Sequence, residues 1–171
     1  RHLAYTENAR HLLHETLAAH PETLDQSFET TAAHKTVGQL VAHLVGAERR
    51  WTLGRLYGEA PPPRYEDAAA QTLDGLFADW DAIRVRTLAF AAGADAGALG
   101  RVITTDLPQW GASVRVTAEE VLLHLCSHQA WHGGQVSMAL QRLEVRHCQV
   151  QIEIGLAAPV FIEHKNAGVS G

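Results

Sequence analysis

The stretch TAEEVLLHLCSHQAWHGGQVSMALQRL, Thr117 to Leu143, decides the fold. Thr117 followed three residues later by Glu120 is the capping-box pattern that opens a helix, and an apolar run follows at once. At about 100° per residue, Val121, Leu125, Val136, Ala139 and Leu143 share one narrow sector, the side that a long helix over 118–143 must bury. The same stretch holds His124, His128 and His132, spaced by four. Successive members climb about 6 Å and rotate only about 40°. His132 falls inside the buried sector, His128 on its edge, and His124 is turned toward the flank.

Working outward, three further helices are predicted. Leu3, Leu12, Leu13 and Leu17 give a helix over 2–19, ended by Pro21, which disfavours helix in the residue before it. Residues 22–35 read as a connector. From Thr36, an N-cap, Val37, Leu40, Val41, Leu44, Trp51 and Leu56 recur at helical spacing to about Tyr57. Pro61-Pro62-Pro63 breaks the pattern. A third helix is predicted over 66–92, with Leu73, Leu76, Phe77, Trp80, Ile83 and Leu88 as its buried stripe. The Gly- and Ala-rich segment 93–100 reads as a loop, and residues 101–105 and 113–117 as two short β-like runs around Pro108 and Gly111. The expected fold is all-α: a four-helix bundle over residues 1–143 with a short β-like insertion before the last long helix. Residues 144–171 read as a tail in which Val150, Ile152 and Ile154 alternate with polar residues in a strand-like way.

Composition narrows the function. A formal charge of −5 argues against a nucleic acid or an anionic membrane as the main partner, because both want clustered positive charge. Two cysteines make no disulfide framework, and no run of residues is long and apolar enough for a membrane span. The expected location is the cytoplasm. The unusual feature is the eleven histidines.

Two imidazoles at i and i+4 on one helix face can close on a single metal ion. A neutral imidazole turned into a bundle needs a partner for each ring nitrogen, and a metal supplies one. His128 and His132 are the inward pair. Two histidines seldom complete a site, and His43, midway along the second helix on the flank of its apolar face, is the candidate third ligand. An isolated histidine on an apolar face is more often a hydrogen-bonded core residue than a ligand, so the argument rests on the three together. Imidazole ligands do not select the metal: zinc is the first expectation, with nickel, iron or manganese as alternatives.

Other candidates carry less. His11, His14 and Glu15 resemble HExxH, but position 18 is Ala; these histidines, with His2 and His20, are expected to face solvent. The ferritin-like Glu-x-x-His pairing is absent. Cys126 lies about 160° from His128 and reads as a packed thiol. His147 and Cys148 lack a partner at useful spacing. Trp51, Trp80 and Trp131 read as packing residues, and Trp110 as a cap over the site. Glu48 is a general-base candidate without support, and Gln135 a candidate to orient a ligand.

The segments Thr36-Val-Gly-Gln-Leu-Val-Ala-His43-Leu-Val-Gly-Ala-Glu-Arg-Arg-Trp51 and Leu123-His124-Leu-Cys-Ser-His128-Gln-Ala-Trp-His132-Gly-Gly-Gln135 resemble the DinB/YfiT-like superfamily of small metalloproteins. The likeness covers residues 2–143. It implies an up-down-down-up bundle, a homodimer, a metal site at His43, His128 and His132, and an additional, structural or supporting His124. Where the family continues with a Gly and a Pro/Asp-containing turn, this chain has Leu143-Glu144-Val145-Arg146-His147-Cys148. The function so implied is a metal-dependent transferase that uses a low-molecular-weight thiol, of bacillithiol or mycothiol type, on small electrophiles. The alternatives are a non-catalytic metal-binding stress-response protein and a metal-dependent hydrolase.

Overall fold

The computed structural model describes residues 2–27, 36–60, 65, 72–107 and 111–142. Helix α1 spans His2–Ala19 and stops before Pro21, which opens a single 3₁₀ turn. Helix α2 spans Val37–Arg49. Its start is a reciprocal box: Thr36 Oγ1 accepts from the Gln39 amide at 3.2 Å while the Thr36 amide donates to Gln39 Oε1 at 3.3 Å. The helix continues through Arg50–Leu56 as a wider π-helical segment. There the Tyr57 amide donates to Thr52 five residues back, and Gly58, at φ 70°, takes the chain off the axis.

Helix α3 spans Leu73–Gly93, starting later than the predicted residue 66. Thr72 is extended and its hydroxyl accepts from the Gly75 amide, so the helix begins after it. Residues 66–71 lie outside the described residues. The segment read as a loop contains a short helix α4, Ala96–Gly100, because Asp95 caps the Ala98 amide at 2.8 Å. Strands β1, Val102–Leu107, and β2, Ala112–Thr117, form an antiparallel hairpin in which Ile103 faces Val116 and Thr105 faces Val114. Helix α5 spans Ala118–Arg142, opened by the predicted Thr117–Glu120 box. The expected tail at 144–171, with His147, Cys148 and the strand-like alternation at 150–154, lies outside the described residues, as does Trp110.

The side-chain pairings set the helix directions. Thr6 and Arg10 of α1 meet Arg84 and Asp81 of α3, so α1 and α3 are antiparallel. Glu48 and Thr52 of α2 meet Trp80 and Thr87 of α3 in the same order, so these two are parallel. His43 meets His128 and Trp51 meets His124, so α2 and α5 are antiparallel. The result is the up-down-down-up bundle, with α2 packed on both α3 and α5.

Leu17, Val37, Leu40, Leu44, Phe77, Trp80, Val136 and Leu140 form the central core. A second cluster seals the hairpin end, where Ile103 packs with Leu56, Ala118, Val121 and Leu122. Two apolar expectations are corrected. Leu88 is exposed rather than part of the stripe of α3, and Trp131 is 70% exposed on α5 instead of packed. Trp131 falls on the flank of the helix because the buried sector is already filled by Val121, Leu125, Val136 and Ala139.

Candidate metal centre

The α2–α5 contact brings three imidazoles to one place. His43 Nε2 and His128 Nε2 are 3.1 Å apart. The ring centroid of His43 lies 5.0 Å from those of both His128 and His132, and the last two are 4.5 Å from each other. One nitrogen from each ring falls within 4.8 Å of the others, an arrangement that could hold a divalent metal ion. All three side chains are half-buried.

The capping boxes explain how two separate helices reach this register. Thr36 fixes the start of α2 two turns before His43, and Thr117 fixes the start of α5 three turns before His128. Leu40, Val41, Leu44 and Val45 on α2 share one buried cluster with Val136, Ala139 and Leu140 on α5, which packs the two helices together.

The environment holds His128 and His132 neutral, the form that binds metal. Burial, joined by the neighbouring His132, His43, His124 and Arg50, pushes His128 down to about 3. His132 is also lowered, chiefly by burial. Its Nδ1 donates to Gln135 Oε1 at 2.6 Å, which fixes the tautomer and turns Nε2 into the nitrogen that can act as a ligand. Gln135 therefore does orient one of the three rings.

His124 stands beside the trio. Its ring is 5.4 Å from His128 and 4.8 Å from Trp51, and burial lowers its pKa. Cys126 is half-buried with its thiol pushed up by burial, as befits a packed cysteine. His2 and His11 are exposed as expected. His14 is not: it stacks on Phe77 at 4.1 Å, with Nε2 3.6 Å from Asp74. His20 is half-buried and 3.3 Å from Glu22.

Glu48 has a different place from the one a general base would need. It is 4% exposed and accepts from Trp80 Nε1 at 2.6 Å and from the Thr87 hydroxyl at 3.0 Å, with the Arg84 guanidinium at 3.1 Å. Arg84, 2% exposed, also donates to Gln129 and to the Thr6 hydroxyl, and Gln129 Nε2 donates to the Thr6 carbonyl at 2.5 Å. This buried network joins α1, α2, α3 and α5 and is anchored next to His128 through Gln129. Sequence reasoning missed it. The available signal was Arg84 at helical spacing within the stripe of Trp80, Ile83 and Thr87.

A helical bundle that brings three imidazoles from two helices together, with a hairpin before the last helix, defines the class: the DinB/YfiT-like superfamily. Within that class the chain belongs to the mycothiol-S-transferase family, whose model matches residues 3–143. No curated protein matches the chain. No helix among the described residues is long and apolar enough to cross a membrane.

Proposed function

We propose that this protein is a divalent-metal-dependent transferase that joins a low-molecular-weight thiol to small electrophiles, with His43, His128 and His132 as the metal ligands. The observation that carries the reading is the convergence of three imidazole nitrogens within 4.8 Å, in a chain of the mycothiol-S-transferase family. A divalent ion with three neutral ligands keeps its full charge and open coordination positions, and it favours deprotonation of a thiol.

The chain's own residues supply the rest. Burial holds His128 in the neutral state that a ligand requires, and Gln135 holds His132 in the tautomer that presents Nε2. The Arg84–Glu48–Gln129 network fixes α5 against its neighbours beside the site, so the three rings are placed by packed helices rather than by loops. Zinc is the first expectation for the ion.

The test is elemental analysis of protein made without a polyhistidine tag, together with conjugation of a model electrophile by a panel of cellular thiols. About one equivalent of metal and metal-dependent conjugation are expected. Equal metal content in a His128→Ala, His132→Ala variant removes the site assignment. A fully loaded protein that conjugates no thiol removes the activity.

A further inference from the structure

The outer face of α5 is apolar. Leu123, Ser127, Ala130, Trp131, Gly134 and Met138 are all exposed and lie within about 50° of one line along the helix. Leu123 is 52% exposed, Trp131 70% and Met138 58%. Three large apolar side chains therefore meet water along about 22 Å of one helix. Single apolar residues are ordinary on a surface, whereas a contiguous strip marks a place of contact. No charge interrupts it: between Glu120 and Arg142 the helix carries no Asp, Glu, Lys or Arg. His128 and His132, which meet His43 of α2, lie roughly 100–140° round the helix from the middle of this face.

Gly134 is a second, independent observation. Glycine inside a helix is destabilising relative to alanine. A Cβ added at Gly133 or Gly134 would meet nothing within 4 Å, so packing inside the protomer excludes a side chain at neither. Gly134 lies on the apolar face, where a second backbone passing close would exclude one.

Charge decides which backbone that is. The face is bounded by Glu119 and Glu120 at the start of α5 and by Arg142 at its end. A second α5 laid antiparallel across it, with the two-fold axis between Ala130 and Trp131, matches the face to itself. Leu123 then faces the partner's Met138, Ser127 faces the partner's Gly134, and the two Trp131 rings meet beside the axis. Glu120 comes opposite the partner's Arg142, and its two bonds to Thr117 both use Oε2. A parallel pair would instead set acids on acids at one end and arginine on arginine at the other.

We propose that the outer face of α5 is a self-complementary interface whose partner is a second copy of this chain, packed antiparallel about that axis. None of the residues it uses is a proposed metal ligand, so it stands or falls apart from the transferase reading.

Sedimentation equilibrium of the full chain tests the partner. A monomer–dimer equilibrium in the micromolar range is expected. Trp131→Lys puts two cations beside the axis and should weaken it about a hundredfold or more, as loss of a central aromatic anchor does. Met138→Lys, further from the histidines, should weaken it as well. Val85→Lys alters a residue that is 67% exposed on α3 and should leave the equilibrium unchanged. Arg142→Glu should weaken it about fivefold at low salt and by less as salt is added. Circular dichroism of each variant checks that the helices are intact.

Cross-linking with a short bismaleimide tests the direction, in a Cys126→Ser, Cys148→Ser background. Leu123→Cys protein mixed with Met138→Cys protein should cross-link. Either alone should not, because like positions lie about 22 Å apart along antiparallel helices. A monomer at every concentration overturns the proposal and leaves the face to another occupant, such as residues 143–171 of the same chain. A dimer that tolerates both Trp131→Lys and Met138→Lys overturns it too, as does cross-linking of Leu123→Cys protein to itself.

Discussion

His43 Nε2 and His128 Nε2, from residues 85 positions apart in the chain, stand 3.1 Å from each other. Two imidazole nitrogens on one tetrahedral zinc lie about 3.3 Å apart, so the rings already hold nearly the separation that coordination imposes. For an ion held as proposed, the cost of ordering these two rings would be met by folding rather than by metal binding. Removing one ring should therefore weaken binding steeply. His43→Ala is expected to lower metal affinity by about a hundredfold or more while leaving the helix content of the metal-free protein unchanged. Competition against a calibrated chelator, with circular dichroism alongside, measures both; an unchanged affinity would place the ion elsewhere.

Gln135 gives a subtler handle on the same centre. Its Oε1 accepts from His132 Nδ1 at 2.6 Å. Gln135→Leu keeps the size and removes the acceptor. Metal affinity should fall about ten- to a hundredfold, the range for losing a partner that orients a metal-binding histidine. Gln135→Glu should retain binding close to that of the unaltered protein, since a carboxylate accepts from the same N–H. If both variants bind metal as the parent does, the hydrogen bond does not set the ring.

Much of this is legible in the sequence because it follows from local rules. The i, i+4 spacing of His128 and His132 and the phase of Val121, Leu125 and Val136 are enough to place two rings on one side of α5. The Thr36 and Thr117 caps mark helix starts, and both hold. His43 is harder: its rotation puts it on a flank, and only the packing of α2 on α5 turns that flank into a shared seam. The α4 helix escapes the reading because Gly and Ala weaken the helical pattern, although Asp95 supplies the cap. Glu48 and Arg84 escape it as a pair for a different reason. They are far apart in the chain, and the partner of a buried charge is set by tertiary contact that no periodicity reports. Trp131 fails because helical spacing alone does not tell a buried aromatic from one on the rim.

The Glu48–Arg84 pair makes a stability prediction. Both groups are almost fully buried, and each has further hydrogen bonds: Trp80 and Thr87 to the carboxylate, Gln129 and Thr6 to the guanidinium. Breaking a buried ion pair from one side leaves a charge without its partner, at a cost of about 3–5 kcal/mol. Glu48→Gln keeps one acceptor, enough for Trp80 Nε1, and puts an amide NH2 that can donate to the Thr87 hydroxyl in place of the second oxygen, so its loss should fall near the lower end, about 3 kcal/mol in urea unfolding. Adding Arg84→Met should cost clearly less than the sum of the two single changes, with a coupling of about 1–3 kcal/mol. Additive losses would mean that the two charges stabilise the bundle independently.

Protonation of His128 links the site to the stability of the metal-free fold. The folded ring is pushed down to about 3, while an unfolded histidine titrates near 6.5. Between those values the unfolded chain binds the extra proton and the folded chain does not, so stability rises with pH across the window and is lost as pH falls below about 6.5. His124 and His132 are lowered as well and act in the same direction. Glu7 and Glu120, whose carboxyl groups are held below their usual value, lose their contributions only further into acid. The range from about pH 6.5 to 5 therefore isolates the histidines. Urea midpoints of chelator-treated protein should fall steadily over that range, by up to about 1.4 kcal/mol per pH unit for each ring that stays neutral. His128→Asn should flatten part of the slope. A midpoint in the unaltered protein that does not move across that range would mean that His128 accepts its proton in the folded state, and that the cluster is more open to water than its packing implies.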